Sequence, residues 1–191
     1  MSYTALIRSV APATTPVSTA EAKAQCRVDS DDEDTYFDGL VLTATAYAEE
    51  SLGRGLITQT WQQWSAPNPD AVRLDVGNFA SLSGVSYYDT DGALQVSDLA
   101  NYETRLGRDR VTVWAKQGIS WPTTQPRDDA IRITYTVGGT AADVAPDIKH
   151  AILMLVSHWH ENREAATEVK LTDTPMAVDA LLGLHKVGWY G

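Results

Sequence analysis

The chain has 191 residues, of which 43% are hydrophobic and 21% are charged, and its formal net charge is −10. These values are typical of one globular domain, or of one domain that carries a large insertion. They exclude the basic surface with which proteins grip duplex DNA, and no apolar run reaches the ~20 residues of a membrane-spanning helix.

The N-terminal part of the chain indicates a reducing compartment and an extended start. Cys26 is the single cysteine, which excludes an internal disulfide and fits the cytoplasm. The first eight residues lack the long apolar segment of a signal peptide. Residues 1–17 carry little hydrophobic pattern, and their prolines predict an extended N-terminal arm.

Two helices are predicted after this arm. Ser-Thr-Ala-Glu at 18–21 is a capping box and predicts a short helix that ends near Cys26. The acidic run at 29–34 lacks the glycine and the final glutamate of a calcium loop, so we interpret it as the start of a second helix. That helix is predicted to end near Leu52, because Gly53 favours a left-handed stop.

Between residues 56 and 140 the hydrophobic period changes from helical to alternating. The segment Val72 to Val76 alternates apolar with charged side chains, and the sequence Asp-Thr-Asp-Gly at 89–92 is a hairpin turn. This pattern predicts an antiparallel meander of about six strands, inserted between helices.

The most strongly marked helix lies at 145–163. Pro146 suits the first helical position, and the residues after it form one broad apolar face. That face consists of Ile148, Ala151, Ile152, Leu155, Val156 and Trp159. We interpret this helix as the central strut, followed by a polar loop at 162–174 and a short helix at 175–182.

The predicted fold class is therefore α+β, a small helical bundle with an inserted antiparallel β meander. The helical core comprises 18–55 and 141–183, the β region 56–140, and the C-terminal tail 184–191.

Two functional interpretations of the sequence stay open at this point. His160, Glu161 and Glu164 are candidates for the site of a metal-dependent hydrolase, although His158 and His160 are two residues apart and a zinc-protease helix needs four. Trp61, Trp64, Trp114 and Trp121 all fall in the β region, where exposed aromatic side chains would make a carbohydrate-binding platform. We predict instead that these tryptophans fill a small core or a subunit contact. No nucleophile elbow or phosphate loop is present, so we predict no catalytic residue, no metal and no cofactor.

Several short phrases occur together and in order along the chain. They are PVSTAEAK at 16–23, RVD at 27–29, DED at 32–34, AYAE at 46–49, GRGLITQTW at 53–61, GISWP at 118–122, PDIKHAIL at 146–153 and HWHENRE at 158–164. This ordered set resembles the head–tail connector proteins (adaptor or head-completion proteins) of tailed bacteriophages and gene transfer agents. The resemblance extends from residue 16 to residue 187.

The resemblance implies a non-enzymatic role in the neck of a virion or phage-like particle assembled in the bacterial cytoplasm. Proteins of this family form a homo-oligomeric ring, typically dodecameric, under the portal protein, and the chain would be a monomer before assembly. The ring extends the DNA channel and docks the next neck or tail protein. DNA would pass without sequence-specific binding, and no membrane is involved. The β insertion exceeds that of compact relatives, and its role stays open.

The resemblance also implies that the C-terminal segment reaches the portal. The candidate partner-binding residues here are Leu184, Val187, Trp189 and Tyr190. We expect that removal of residues 184–191 leaves the fold intact but prevents attachment to heads that carry the portal.

Overall fold

The computed structural model describes residues 5–107, 110–162 and 176–186, and the chain forms two compact units. The β unit comprises Met1–Ala13 and Thr58–Gly138, and the α unit comprises Thr14–Ile57 and Gly139–Gly191. Each unit has its own hydrophobic core. The predicted α+β class is confirmed.

The helices of the α unit follow the sequence signals closely. Within the described residues they are α1 (Thr19–Cys26), α2 (Asp34–Leu52), α3 (Pro146–Glu161) and α4 (Met176–Gly183). The polar segment predicted as a loop, 162–174, lies outside the described residues except for Asn162.

Local capping chemistry sets the helix ends. The Ser18 hydroxyl accepts a hydrogen bond from the Glu21 amide at 3.2 Å, and the Glu21 carboxylate accepts one from the Ser18 amide at 2.6 Å, which completes the predicted capping box. Gly53 ends α2 in the left-handed conformation with φ of 65°. Pro146 is the first residue of α3, where its missing N–H costs nothing.

The α unit is built around α3, which packs against each of the other three helices. Its buried residues are Ile148, Ala151, Ile152, Leu155 and Val156. Burial of side chains such as Ile152 and Leu155 stabilises the fold by about 1.5–3 kcal/mol each. The role predicted for this helix as a central strut is thus confirmed.

The β unit contains two antiparallel sheets in the described part of the chain. The larger has the strand order β1-β2-β8-β4-β5, and the smaller has the order β3-β7-β6. The strands are β1 (Leu6–Val10), β2 (Gln59–Ser65), β3 (Val72–Arg73), β4 (Phe79–Tyr88), β5 (Leu94–Ser97), β6 (Tyr102–Leu106), β7 (Val111–Ala115) and β8 (Ile131–Val137).

The strand order corrects the predicted meander. Strand β8, the last in sequence, lies between β2 and β4, and the remaining strands divide between two sheets. The alternating pattern of β8, with Ile131, Ile133, Tyr135 and Val137 buried, identifies a strand with one core face. It carries no information about which strands lie beside it, and so the sequence suggested sequential neighbours.

Part of the predicted N-terminal arm is a strand. Leu6–Val10 is extended as expected, and it pairs with β2 as an edge strand of the larger sheet. All five of its residues are exposed. Because neither face of this strand is buried, its sequence lacks the alternating hydrophobic pattern that would have predicted a strand.

The core of the β unit contains a polar centre. Tyr135 is fully buried, and its hydroxyl donates a hydrogen bond to the Gln63 side-chain oxygen at 3.2 Å. The same Gln63 side chain accepts from the Asp75 amide at 3.0 Å and donates to the Arg73 carbonyl at 2.7 Å. It thereby satisfies the backbone of an irregular segment next to β3. Burial raises the pKa of the Tyr135 phenol, which therefore stays protonated.

Candidate interaction surfaces

The two histidines at the end of α3 have contacts that are typical of residues with a structural role. The His160 ring lies 5.0 Å from the ring of Phe37 and 6.2 Å from that of Tyr36, between centroids, so it packs against α2. The Asn162 side chain donates a hydrogen bond to the His158 carbonyl at 2.7 Å and thus helps to close the helix. Both contacts are typical of a helix end packed on a neighbour.

The described residues do not assemble the hydrolase site considered from the sequence. Among them, no group of three or more His, Cys, Asp or Glu side chains is placed to hold a metal ion. Glu161 is exposed, and Glu164 lies outside the described residues. The contacts of His160 with aromatic rings supply a sufficient reason for its position.

The four tryptophans of the β region do not share one exposed platform. Trp61 and Trp64 lie on opposite faces of β2, because successive side chains of a strand alternate. The guanidinium of Arg105 lies 4.5 Å from the centroid of the Trp114 ring, and Trp121 packs against Tyr102 at 4.9 Å between ring centroids. All four are partly buried, and Trp61 and Trp121 pack against the core of the β unit, whereas a role of the tryptophans in a subunit contact stays a prediction.

Trp64 borders a cleft of about 340 Å³ beside β2 and β3. The cleft is lined by Gln63, Trp64, Ser65, Ala66, Pro67, Pro69, Ala71, Val72, Arg73 and Asp75. The polar groups of Gln63 are already engaged with the backbone of Arg73 and Asp75, so they are not available to orient a ligand.

The acidic run at 29–34 has a local explanation. It forms a 3-10 turn at Asp31–Glu33 directly before α2. The Lys23 ammonium, whose side chain is only 11% exposed, donates to the carboxylates of Asp31 at 2.7 Å and Asp34 at 2.6 Å. The hydrogen bond from Lys23 lowers the pKa of Asp31, so this acid stays charged in a fixed position.

Helix α4 fixes the point from which the C-terminal segment leaves the α unit. Val178 and Leu182 are fully buried in the helical core. Beyond the helix, the His185 imidazole contacts the Asp147 carboxylate at the start of α3. This hydrogen bond lowers the pKa of Asp147. The C-terminal segment therefore begins directly after a helix that is packed into the core of the α unit.

Of the four candidate partner-binding residues, the structure places Leu184. It directly follows α4 and is 76% exposed. Val187, Trp189 and Tyr190 lie outside the described residues. Sequence reasoning missed the contact of His185 with Asp147, because the two residues are far apart in the chain and neither belongs to a motif.

The described helices include none with the length and apolar character needed to cross a lipid bilayer.

No protein-family model and no curated protein sequence matches this chain. Solved structures of gene transfer agent (GTA) particles do contain similar chains. A chain of "Neck of empty GTA particle computed with C6 symmetry" is 18% identical with a TM-score of 0.77, and the match covers 95% of each chain.

Two further structures agree. A chain of "Virion of native gene transfer agent (GTA) particle" is 18% identical with a TM-score of 0.73, covering 95% of this chain and 94% of the other. A chain of "Neck of native GTA particle computed with C12 symmetry" is 19% identical with a TM-score of 0.68, covering 93% and 94%. The resemblance found in the sequence is thus confirmed at the level of the fold, over nearly the whole chain.

Proposed function

We propose that this protein is a structural component of the neck of a gene transfer agent or tailed phage. It forms a ring of its own copies under the portal protein, extends the DNA channel and docks the next neck or tail protein. It is assembled in the bacterial cytoplasm and catalyses no reaction. The observation that carries the proposal is the shared fold with a chain from a GTA neck structure at a TM-score of 0.77, over 95% of both chains.

Three further observations support this role. The structures that contain similar chains include necks computed with C6 and with C12 symmetry, as a ring of copies requires. The net charge of −10 disfavours tight phosphate contacts, so DNA is able to slide past such a surface without sequence-specific binding. The polar side chains described above form hydrogen bonds or ion pairs with neighbouring backbone groups or with each other, as residues with a structural role do.

The portal contact is assigned to the C-terminal segment that begins at Leu184. Val178 and Leu182 anchor α4, and the His185–Asp147 contact holds the first residues after it. A segment held at its base and rich in apolar and aromatic residues is suited to an apolar groove on a partner.

The test is attachment of purified protein to heads that carry the portal, measured by co-sedimentation. Deletion of 187–191 keeps His185 in place, so we expect an unchanged far-UV circular dichroism spectrum and loss of attachment. Deletion of 184–191 should have the same result, with some loss of stability because His185 is removed. The full-length double variant Trp189→Ser with Tyr190→Ser controls for chain length and should also fail to attach.

Normal attachment of all these variants would show that the tail assignment is wrong. Failure of the wild-type chain to attach to such heads, or to any neck intermediate, would contradict the neck role itself.

A further inference from the structure

Strand β1 is paired at the edge of the larger sheet although it buries none of its own residues. Leu6–Val10 pairs with β2, and all five of its residues are exposed. The guanidinium of Arg8 lies 5.9 Å from the centroid of the Trp61 ring, which is a weak contact at an exposed site. Ordering an exposed strand costs conformational entropy, which buried apolar groups normally offset. An apolar anchor next to β1 would supply this burial.

The chain enters β1 beside the cleft that Trp64 borders. The Trp64 amide donates a hydrogen bond to the Ala5 carbonyl at 3.0 Å, which continues the antiparallel register of β1 and β2. Met-Ser-Tyr-Thr at 1–4 precedes Ala5 and lies outside the described residues. In the same register, residue 4 would lie opposite Ser65 and residue 3 opposite Ala66. Both Ser65 and Ala66 line the cleft.

The cleft has a size and a lining that suit one aromatic side chain with a polar end. Its volume of about 340 Å³ is at the lower end of the range for ligand sites, roughly 300–1,000 Å³. The lining combines apolar side chains with the charged side chains of Arg73 and Asp75. The apolar ones include Trp64, Pro67, Pro69 and Val72. A tyrosine offers an apolar ring for the first group and a hydroxyl for the second.

Tyr3 is the residue that this register brings to the cleft. Opposite residues of an antiparallel pair share a face, so Tyr3 would share the face of Ala66 and of Trp64, two residues earlier in β2. Trp64 would then be its diagonal neighbour, which is within reach of an aromatic side chain. Pro67 has no N–H and ends the possible pairing directly after Ala66.

We propose that this cleft binds the N-terminal segment 1–4 of the same chain, with the Tyr3 ring packed between Trp64 and Pro67. The inference goes beyond the proposed neck function and does not depend on it. The segment is tethered at Ala5, beside the cleft, so its local concentration there is of roughly millimolar order and exceeds that of a separate molecule. Bound in this way, it anchors β1 on the sheet edge and fills the cleft.

The first experiment tests whether the strand pairing continues into the segment. Ala5 and Trp64 are joined by a hydrogen bond, so residues 4 and 65 would form the next pair, with Cα atoms about 4.5 Å apart. This distance suits a disulfide. In a Cys26→Ser background, Thr4→Cys and Ser65→Cys are therefore combined in one chain and oxidised mildly. We expect an intrachain disulfide in the purified protein, identified by mass spectrometry of its peptides.

The control combines Thr4→Cys with Val96→Cys in β5, at the opposite edge of the same sheet. Four strand spacings, about 19 Å in total, separate the two edges, so this pair should form no intrachain disulfide. If the pair at 4 and 65 forms none either, the segment does not follow β2 and the inference is wrong. A disulfide between two chains would show that the cleft binds the segment of a second copy, which overturns it as well.

The second experiment removes the aromatic ring. Tyr3→Ser should accelerate amide hydrogen exchange in β1 and in residues 65–72 by about tenfold or more, because the edge of the sheet loses its anchor. Hydrogen–deuterium exchange followed by mass spectrometry measures these rates. The matched control, Thr4→Ser, changes the neighbouring residue and should exchange like the wild type. Wild-type exchange rates in Tyr3→Ser would show that Tyr3 does not occupy the cleft.

Discussion

The backbone N–H and C=O groups of the two units find their hydrogen-bond partners in different ways. Each helix of the α unit satisfies its own backbone, so its core is mainly apolar and polar contacts are placed at helix ends such as Ser18 and Asp147. The β unit has an irregular segment beside its core, and the buried Gln63 must satisfy the backbone there. The comparison teaches that local signals set the helix ends of the α unit, whereas the β unit also needs polar contacts between residues that are distant in the chain.

The largest expected effect tests the apolar core of the α unit. Leu155→Ala should lower the free energy of unfolding by about 3 kcal/mol, because it removes a fully buried side chain and leaves a cavity. Urea unfolding measures this change. Leu42→Ala, in which the leucine is exposed, is the control and should change the free energy by less than about 0.5 kcal/mol. Equal effects of the two changes would mean that α3 is not the centre of this core.

The second effect tests the polar centre of the β unit. Gln63→Ala should lower the free energy of unfolding by about 2 kcal/mol or more, because the Arg73 carbonyl, the Asp75 amide and the Tyr135 hydroxyl lose their partner. The control is Gln62→Ala on the opposite face of β2, with an expected change of about 0.5 kcal/mol or less. If the two substitutions lower the free energy of unfolding by the same amount, the hydrogen bonds of Gln63 do not stabilise this unit.

The smallest effect concerns a polar contact at a helix end of the α unit. The hydrogen bond from His185 lowers the pKa of Asp147 in the folded protein. The charged carboxylate therefore stabilises the fold at pH values above about 4, which is the pKa of an aspartate in the unfolded chain. The contribution is lost as the pH falls through the lower pKa of the folded state. Asp147→Asn should therefore be less stable than wild type at pH 6, and the difference should shrink below about pH 4.

Thermal unfolding across this pH range measures the difference. His185→Gln should reproduce the loss, and the double variant should add little beyond either single change. A difference that stays constant with pH would argue against the contact between Asp147 and His185.

The sequence predicted features whose cause lies within a few residues. The capping box at Ser18, the stop at Gly53, the start at Pro146 and the buried stripe of α3 all depend on neighbours one to four positions away. The turn at 89–92 belongs to the same class, since the Asp89 carboxylate accepts from the amides of Asp91 and Ala93. Nothing outside these segments was needed to locate them.

The candidate site was predictable only in part. The position of Leu184 after a short helix was expected, but the contact of His185 with Asp147 was not, because the two residues are far apart in the chain. His160 shows the converse case. A histidine next to a glutamate suggested a metal ligand, and the contact with Phe37 that explains its place is visible only in three dimensions.

The sequence by itself determined the α+β class, the helices with their ends and the resemblance to head–tail connectors, because each depends on local spacing or on ordered short phrases. Only the tertiary structure decided that β8 lies between β2 and β4, that Leu6–Val10 joins the larger sheet, and that Gln63 serves the backbone of Arg73 and Asp75. The physical reason is that strand neighbours and buried polar partners are chosen by contacts between distant residues, which the alternation of side chains along one strand does not encode.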